Sequence, residues 1–292
     1  MPKTEHLILG ANSYLGQHVA HALRGTDSVA HVRHRPNVLV AKTQLPIVEE
    51  DLILGYSECA EYDPKTVYII ARPAAGKLGH DATAQDYIDF TQSLRELLQT
   101  WSETGQLERV VFMSTQLVYA TPPNATPVGI EAPLKPSTLY EWGKVEMEAW
   151  LAMLALNKPK MSVEIYRLPL LGGGAVFSRQ CEEQYLHSWR LRYTEGYSWK
   201  ITAETPNWGN SWVHVTDLAE HLVKPKSQEG FSVHQPVSGH VVYTELHEYF
   251  KRKFKVRGDV ALYLPNTFFF LKDTENMPTR KLEEIYGEAP NY

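Results

Sequence analysis

The sequence has little of what several classes of protein require. Its 292 residues include only two cysteines, Cys59 and Cys181, and its 29 Lys and Arg residues are outnumbered by 34 Asp and Glu residues. Two distant cysteines provide neither a disulfide framework nor a zinc site, and the 12 histidines show no spacing typical of metal ligands. The formal net charge of -5 lacks the basic excess typical of nucleic-acid-binding proteins. We therefore expect neither a metal site nor a nucleic-acid partner.

Long apolar runs are also absent. No stretch approaches the roughly 20 apolar residues of a transmembrane helix, and the first six residues lack the apolar core of a signal peptide. Hydrophobic residues nevertheless make up 43% of the chain, which is enough for a large buried core. These features predict a cytoplasmic protein without membrane contact.

Short apolar runs alternate with helical patterns over the first two thirds of the chain. The runs are rich in Val and Ile, as strands covered on both faces are, and they occupy residues 6–9, 29–32, 67–71, 110–113 and 163–166. Apolar residues at helical spacing predict helices over residues 14–23, 82–104 and 139–156, the last with Ser137 and Thr138 as candidate N-caps. This order predicts an α/β fold, a doubly wound parallel sheet of the Rossmann type.

The pattern changes after residue 170. Three glycines at 172–174 interrupt the alternation, and a stretch rich in Tyr and Trp follows. Large aromatic surfaces need a partner, which is either the core of a second unit or a substrate. We expect a dinucleotide-binding domain over residues 1–170 and a small α+β substrate-binding region over residues 171–292, partly interleaved with the sheet.

A glycine-containing turn connects the first predicted strand to the first predicted helix. Gly10 permits a tight turn, Gly16 permits close packing of the helix on the sheet, and the N-terminus of the helix would face a pyrophosphate. Ser13 stands where a middle glycine is usual, and its hydroxyl could bind a phosphate. With Tyr14 and Leu15, these residues form the predicted phosphate-binding turn of a dinucleotide site.

The end of the second strand discriminates NAD from NADP in folds of this type. Here it carries Arg33 and Arg35 and no carboxylate. A guanidinium can bind a 2′-phosphate through two hydrogen bonds, so Arg33 favours NADP over NAD. Solvated surface arginines are the alternative interpretation.

Tyr140 and Lys144 lie four residues apart on the third predicted helix and therefore on one face. A nearby ammonium lowers the pKa of a phenol because it favours the phenolate, so Tyr140 is a candidate general acid or base. The spacing alone is weak support, since Tyr249 and Lys253 repeat it. Only the first pair follows a predicted strand that ends in hydroxyl residues.

In this combination the chain resembles the extended short-chain dehydrogenase/reductases, also called NAD-dependent epimerase/dehydratases. Seven segments match that family in order: residues 10–16, Asp51 with Leu52, residues 67–71, residues 114–119, Tyr140 with Lys144, residues 167–169 and residues 212–219. The resemblance implies that the catalytic residues are Thr115, Tyr140 and Lys144. It also implies that the cofactor contacts Asp51, Leu52, Ala71 and Pro169, and that Lys144 holds the nicotinamide ribose.

The reaction implied by the resemblance is that of an NAD(P)-dependent oxidoreductase. Hydride would move between the nicotinamide and a carbonyl or secondary alcohol of a small-molecule substrate while Tyr140 transfers the proton, and Thr115 would hydrogen-bond the substrate oxygen. Two alternatives stay open: a nucleotide-sugar epimerase or reductase that retains its cofactor, and a non-catalytic NADP-binding sensor or scaffold. Dehydration is disfavoured because Gln116 and Leu117 cannot do acid/base work.

Two departures from the family weigh against a nucleotide-sugar substrate. Leu170 and Asn210 stand where such members usually carry an Asn and a diphosphate-binding Arg. Candidate substitutes for the diphosphate contacts are Arg179, Arg190 and Arg192. The resemblance also suggests a homodimer packed through the predicted helices 82–104 and 139–156.

Overall fold

The computed structural model describes most of the chain. The described residues are 2–33, 35–52, 56, 58–73, 82–104, 106–120, 127–174, 190, 193–200, 209–225, 228–255, 258–261 and 277–285. They form two compact units, the first comprising residues 1–118, 135–167 and 219–234 and the second comprising residues 119–134, 168–218 and 235–292.

Twelve strands and six α-helices are formed by the described residues. The strands are β1 (Lys3–Leu9), β2 (Ser28–Val32), β3 (Ile47–Glu49), β4 (Asp63–Ile69), β5 (Arg109–Thr115), β6 (Ser162–Leu168), β7 (Leu170–Gly172), β8 (Tyr197–Lys200), β9 (Gly209–His214), β10 (Gly230–His234), β11 (Gly239–Val242) and β12 (Gly258–Ala261). The helices are α1 (Tyr14–Ala22), α2 (Val38–Lys42), α3 (Ala84–Thr104), α4 (Leu139–Asn157), α5 (Val215–Leu222) and α6 (Tyr243–Lys253).

The first unit is built on a seven-stranded parallel sheet. Its spatial order is β10-β6-β5-β4-β1-β2-β3, which is the order of a doubly wound dinucleotide-binding sheet with β10 added beside β6. The predicted fold class is confirmed. Each of the five predicted strands and three predicted helices corresponds to an element of this unit, although β4 ends at Ile69, two residues before the predicted end.

The core of the first unit fills the space between the sheet and the helices α3 and α4. Its buried apolar residues form one cluster, which includes Leu94, Leu97, Leu98 and Trp101 of α3, Met147, Leu151 and Leu154 of α4, and Val67, Ile69, Val110, Phe112, Val163 and Ile165 of the strands. Trp101 also donates its indole N–H to the carbonyl oxygen of Tyr62 at 2.7 Å. This packing fixes α4 against β5, where the candidate catalytic residues lie.

The second unit contains the three-stranded sheet β11-β9-β7 and the two-stranded sheet β12-β8. Tyr193 stacks on Phe250 of α6 with ring centres 5.0 Å apart, and Trp212 of β9 is buried. These aromatic residues therefore belong to a local core, one of the two interpretations of the aromatic stretch. Its members Tyr185, Trp189 and Trp208 lie outside the described residues. Within the described part of the chain, no helix has the length and apolar character that crossing a membrane requires.

Candidate active site

The glycine turn lies at the carboxyl edge of the sheet. Gly10 follows β1 with a φ of +91°, and its methylene faces the chain after β4, because a Cβ at this position would lie 2.6 Å from the main-chain nitrogen of Ala71. The amide of Ala11 donates to the carbonyl oxygen of His31 at 2.9 Å. The ends of β1, β2 and β4 are thus tied together at a position where only glycine fits.

Gly16 and Ser13 shape the start of α1. A Cβ on Gly16 would clash with the carbonyl oxygen of Gly10 and lie 2.8 Å from the Ser13 hydroxyl oxygen. Ser13 is the N-cap of α1, and its hydroxyl accepts a hydrogen bond from the amide of Gly16 at 3.0 Å. The first amides of a helix have no acceptor within it and attract anions. The turn fits the pyrophosphate of a dinucleotide, with Ser13 acting first as a helix cap.

The side chains of Tyr14 and Leu15, by contrast, are buried. They anchor α1 against the unit, so what these two residues can offer a ligand is their backbone. Asn12, which sequence reasoning did not select, fixes the neighbouring loop by donating to the carbonyl oxygen of Arg35 at 2.9 Å and accepting from the amide of Asn37 at 2.8 Å. Its position between Gly10 and Ser13 was the available signal.

Arg33 and Asp51, each of which was predicted to contact the cofactor, form an ion pair with one another. The Nε of Arg33 donates to a carboxylate oxygen of Asp51 at 2.8 Å. Arg33 follows β2 and Asp51 follows β3, and the parallel pairing of these strands brings their ends together. The neighbouring side chain of Leu52 is buried in the core of the unit. A carboxylate therefore lies at the end of β2, although none is present there in the sequence.

The candidate catalytic hydroxyl lies at the end of β5. Thr115 is the last residue of the strand, is buried, and accepts a hydrogen bond from the amide of Leu117 at 3.3 Å. Gln116 follows it in a short 3-10 turn and is also buried. Its side-chain oxygen accepts no hydrogen bond from the residues that the structure describes.

The start of α4 is fixed by a capping box. The hydroxyl of Thr138 accepts from the amide of Glu141 at 3.2 Å, and the Glu141 carboxylate accepts from the amide of Thr138 at 3.1 Å. The predicted capping role of Thr138 is confirmed. This box orients the first helical turn, which carries the half-buried Tyr140. A Cβ on Gly143 would lie 2.8 Å from the ring of Tyr87, so glycine allows α4 to approach α3 closely.

Lys144 lies on the same face of α4 as Tyr140, as its spacing predicted. Its Nζ is 5.8 Å from the centre of the Tyr140 ring and 4.6 Å from that of Phe112. It donates to the carbonyl oxygen of Met113 at 2.7 Å and is buried. The ammonium is therefore held on β5, two residues before Thr115.

Burial lowers the pKa of Lys144 to about 7. The largest cause is the loss of solvation of the charged form, to which the positive charge of Arg72 adds, while the negative charge of Glu148 acts in the opposite direction. Arg72 follows β4 directly after Ala71. Neither Arg72 nor Glu148 was selected from the sequence. The position of Glu148, one helical turn beyond Lys144, was an available signal.

Most of the predicted site residues meet at one edge of the sheet in the first unit. Gly10 approaches Ala71, the Arg72 charge acts on Lys144, and Lys144 contacts Met113 on the strand that ends in Thr115. Pro169 is buried and follows β6 directly. Of the substitute arginines, Arg179 and Arg192 lie outside the described residues. Within the described part, no group of His, Cys, Asp and Glu side chains could hold a metal ion.

The parallel sheet and the glycine turn at its carboxyl edge define a Rossmann-type dinucleotide-binding protein. The family model of the NAD dependent epimerase/dehydratase family matches residues 6–228, which include the glycine turn, the end of β5 and the Tyr140–Lys144 pair. The chain belongs to this family and is an NAD-dependent enzyme of the epimerase/dehydratase type. A comparison with curated protein sequences found no match.

Several solved structures have a similar fold. A UDP-glucose 4-epimerase from Stenotrophomonas maltophila, with bound NAD and formylated UDP-arabinopyranose, gives a TM-score of 0.78 at 16% identity over 97% of this chain and 95% of that one. The Thermotoga maritima enzyme with UDP-glucose gives 0.74 at 15% identity over 96% of each chain. The Bifidobacterium longum enzyme with NAD+ and UDP gives 0.73 at 16% identity over 97% and 96%.

Proposed function

We propose that this chain uses NAD to catalyse oxidation and reduction at a secondary alcohol or carbonyl carbon, with Tyr140 as the acid/base residue. The observation that supports the proposal best is the buried ammonium of Lys144. It is fixed at 2.7 Å from the Met113 carbonyl oxygen and lies on the helix face that carries Tyr140. NAD, when bound, would accept hydride in its oxidised form and donate hydride in its reduced form.

The roles of the three catalytic residues follow from their positions. Tyr140 exchanges a proton with the substrate oxygen, and the neighbouring ammonium of Lys144 favours its phenolate form. Thr115 donates its hydroxyl proton to the same oxygen and stabilises developing negative charge. Charge interactions are stronger away from water, so the burial of Lys144 makes its effect on Tyr140 larger than that of an exposed lysine.

The pyrophosphate of the cofactor is proposed to bind the turn formed by Gly10, Ser13 and Gly16, at the N-terminus of α1. We assign NAD rather than the NADP that Arg33 favoured. A 2′-phosphate beside Arg33 would also lie beside the carboxylate of Asp51, which pairs with that arginine at 2.8 Å. Repulsion between phosphate and carboxylate offsets the attraction of the guanidinium.

The substrate is proposed to present a hydrogen-bond donor near the reacting carbon. Gln116 adjoins Thr115, and its buried side-chain oxygen accepts no hydrogen bond from the described residues. Buried polar groups in folded proteins are nearly always satisfied, so a hydroxyl or amide N–H of the substrate is the natural partner.

A nucleotide-sugar epimerase is the second candidate. It is favoured by the fold shared with UDP-glucose 4-epimerases. It is opposed by Leu170 and Asn210, which stand in place of the usual Asn and the diphosphate-binding Arg. A ligand that binds the folded state raises the melting temperature of a protein. UDP would therefore raise the melting temperature of this chain if it is a nucleotide-sugar enzyme. No rise with any nucleoside diphosphate would leave a smaller substrate as the better candidate.

Turnover by two matched variants tests the acid/base assignment. NADH binding is followed by fluorescence, and NADH oxidation is measured with a panel of ketones and aldehydes. We expect Tyr140→Phe to bind NADH but to lose about 10²- to 10⁴-fold in turnover, and Tyr249→Phe to behave as the wild type. Equal rates in Tyr140→Phe and the wild type would refute the assignment. NADH binding without turnover of any carbonyl would favour the sensor alternative.

We also propose a homodimer formed through the outer faces of α3 and α4. On α4, Trp142 is 58%, Met153 55% and Leu156 81% exposed, and they recur at helical spacing, while Ile88 on α3 is 52% exposed. Exposed apolar side chains arranged in this way mark an interface. Light scattering would then give a dimer for the wild type and a monomer for Trp142→Glu. The cytoplasmic location and the division at residues 170 and 171 stay predictions.

A further inference from the structure

A buried carboxylate lies one helical turn beyond Lys144. Glu148 on α4 accepts a hydrogen bond from the hydroxyl of Ser114, and three from Arg167 on β6, at 3.1 and 3.3 Å from Nε and 2.7 Å from Nη2. The side chains of Glu148 and Arg167 are only 6% and 9% exposed. A buried charged group must be paired, which accounts for Arg167 as the partner of Glu148. It does not explain why a carboxylate is present at this position.

The contacts of Glu148 lead directly to the candidate active site. Ser114 lies between Met113, whose carbonyl oxygen accepts from Lys144, and Thr115. By holding Ser114, the Glu148 carboxylate fixes the three residues of β5 that carry the acceptor for the ammonium and the catalytic hydroxyl. A helical spacing of four residues also places Glu148 beside Lys144 itself.

The charges around Lys144 come from several elements. The positive charge of Arg72, which follows β4, disfavours the ammonium, whereas the negative charge of Glu148 favours it. Tyr140 lies on the same helix, and Tyr87 of α3 packs against the helix at Gly143. Among the described residues, Glu148 is the one carboxylate that acts on Lys144.

We propose that Glu148 is a positioning residue that keeps the Lys144 ammonium charged and in place, through its own charge and through its hydrogen bond to Ser114. Arg167 balances the carboxylate and limits how strongly Glu148 acts on the lysine. This inference rests on the role of Lys144 in the proposed function.

The experiment measures the titration of Lys144 in the cofactor-free protein. Lysine labelled with ¹³C at Cε is incorporated, and the Lys144 signal is identified by its absence in Lys144→Met. We expect the midpoint to fall by at least one pH unit in Glu148→Gln, which removes the negative charge. We expect it to rise in Arg167→Gln, which leaves that charge unbalanced. Opposite shifts are not expected of two residues that merely support the fold.

Glu164→Gln is the matched control, because it breaks another buried Arg–Glu pair of the same unit, Arg109–Glu164 at 2.8 Å. Arg109 lies four residues before Met113 on β5, about 13 Å away along an extended strand. We expect this variant to lose stability without moving the Lys144 midpoint. If Glu148→Gln does not fold, the direction of the shift in Arg167→Gln decides.

An unchanged midpoint in folded Glu148→Gln or in Arg167→Gln would overturn the inference, as would an equal shift in Glu164→Gln. Because the titration needs neither NAD nor a substrate, its outcome is separate from that of the proposed function. A loss of turnover in Tyr140→Phe together with an unchanged Lys144 midpoint in Glu148→Gln would support the acid/base assignment and reject the positioning role of Glu148. The reverse pair of results would retain the charge network and reject the acid/base assignment.

Discussion

Two helices of this protein carry a tyrosine followed four residues later by a lysine. On α4, the buried Lys144 donates to a main-chain carbonyl of β5 and lies 5.8 Å from the centre of the Tyr140 ring. On α6, the exposed Lys253 donates to the Tyr249 hydroxyl at 2.5 Å and lies 4.3 Å from the centre of its ring. The closer contact belongs to the pair whose lysine is exposed. Proximity of ammonium and phenol is thus a property of the spacing, whereas the burial of the lysine and its contact with a strand end distinguish the pair on α4.

The two tyrosine–lysine pairs should differ most in their effect on turnover. We expect Lys144→Met to reduce turnover about 10²- to 10⁴-fold, because the acid/base residue loses the charge that favours its phenolate. Lys253→Met should leave turnover unchanged. The rates are measured with the best substrate of the wild type at saturating NADH. A comparable loss in both variants would mean that the spacing alone carries the chemistry.

A comparison of two glycines sharpens the contrast between a constrained and an unconstrained position. We expect Gly16→Ala to weaken NADH binding about 100-fold, because the added methyl group clashes with the carbonyl oxygen of Gly10 and displaces the start of α1. Gly25 has a positive φ, of +78°, and no atom lies within 4 Å of a Cβ there. Gly25→Ala should cost about 1 kcal/mol of stability and retain the affinity. Fluorescence titration with NADH measures both, and equal affinities would remove the pyrophosphate from this turn.

The two lysines should also differ in their effect on stability. Burial lowers the pKa of Lys144 from 10.5 to about 7, so between these values the unfolded state binds more protons and the free energy of unfolding rises with pH. Below about pH 7 the cost of the buried ammonium is fully present. The full difference between the two pKa values corresponds to about 5 kcal/mol of stability. We expect Lys144→Met to raise the free energy of unfolding by about 2 kcal/mol at pH 6 and by less at pH 9.

Urea denaturation of the cofactor-free protein at both pH values provides the measurement for this prediction. Lys253→Met is the control, and as a change at an exposed side chain it should stay within about 0.5 kcal/mol of the wild type at either pH. A stabilisation by Lys144→Met that does not depend on pH would show that packing, and not charge, is responsible.

The smallest expected effect concerns the two ion pairs at opposite edges of the sheet. Asp51→Asn should shift the ratio of NADPH to NADH affinity about tenfold towards NADPH, because it removes a negative charge beside Arg33. Glu5→Gln breaks an exposed pair with Lys65, also at 2.8 Å, where β1 begins, and should leave the ratio unchanged. Affinity measurements with both cofactors test the difference. No shift in Asp51→Asn would mean that the 2′-phosphate does not bind near Arg33.

Much of the first unit could be predicted because its strands are covered on both faces and therefore read as runs of Val and Ile. Two strands escaped this signal. β3 has only three residues, of which Val48 alone is buried, and β10 is a half-exposed strand at the edge of the sheet. The cap formed by Ser13 was visible in principle, since a serine before a helical run is a common helix start.

The charge arrangement of the site could not be predicted, because it depends on strands distant in sequence. Asp51 meets Arg33 only because β3 pairs with β2, and Glu148 meets Arg167 only because α4 packs where β6 ends. The spacing of Tyr140 and Lys144 predicted a shared helix face. The depth at which the lysine is buried is a tertiary property, and no local pattern encodes it.

The contact between Gly143 and Tyr87 has a consequence for protein engineering. Tyr140 and Lys144 stand on either side of a residue whose missing side chain sets how near two helices come. An engineer who grafts that pair onto another scaffold must therefore also transfer the aromatic ring opposite the glycine. Otherwise, the close approach of the two helices would not be reproduced.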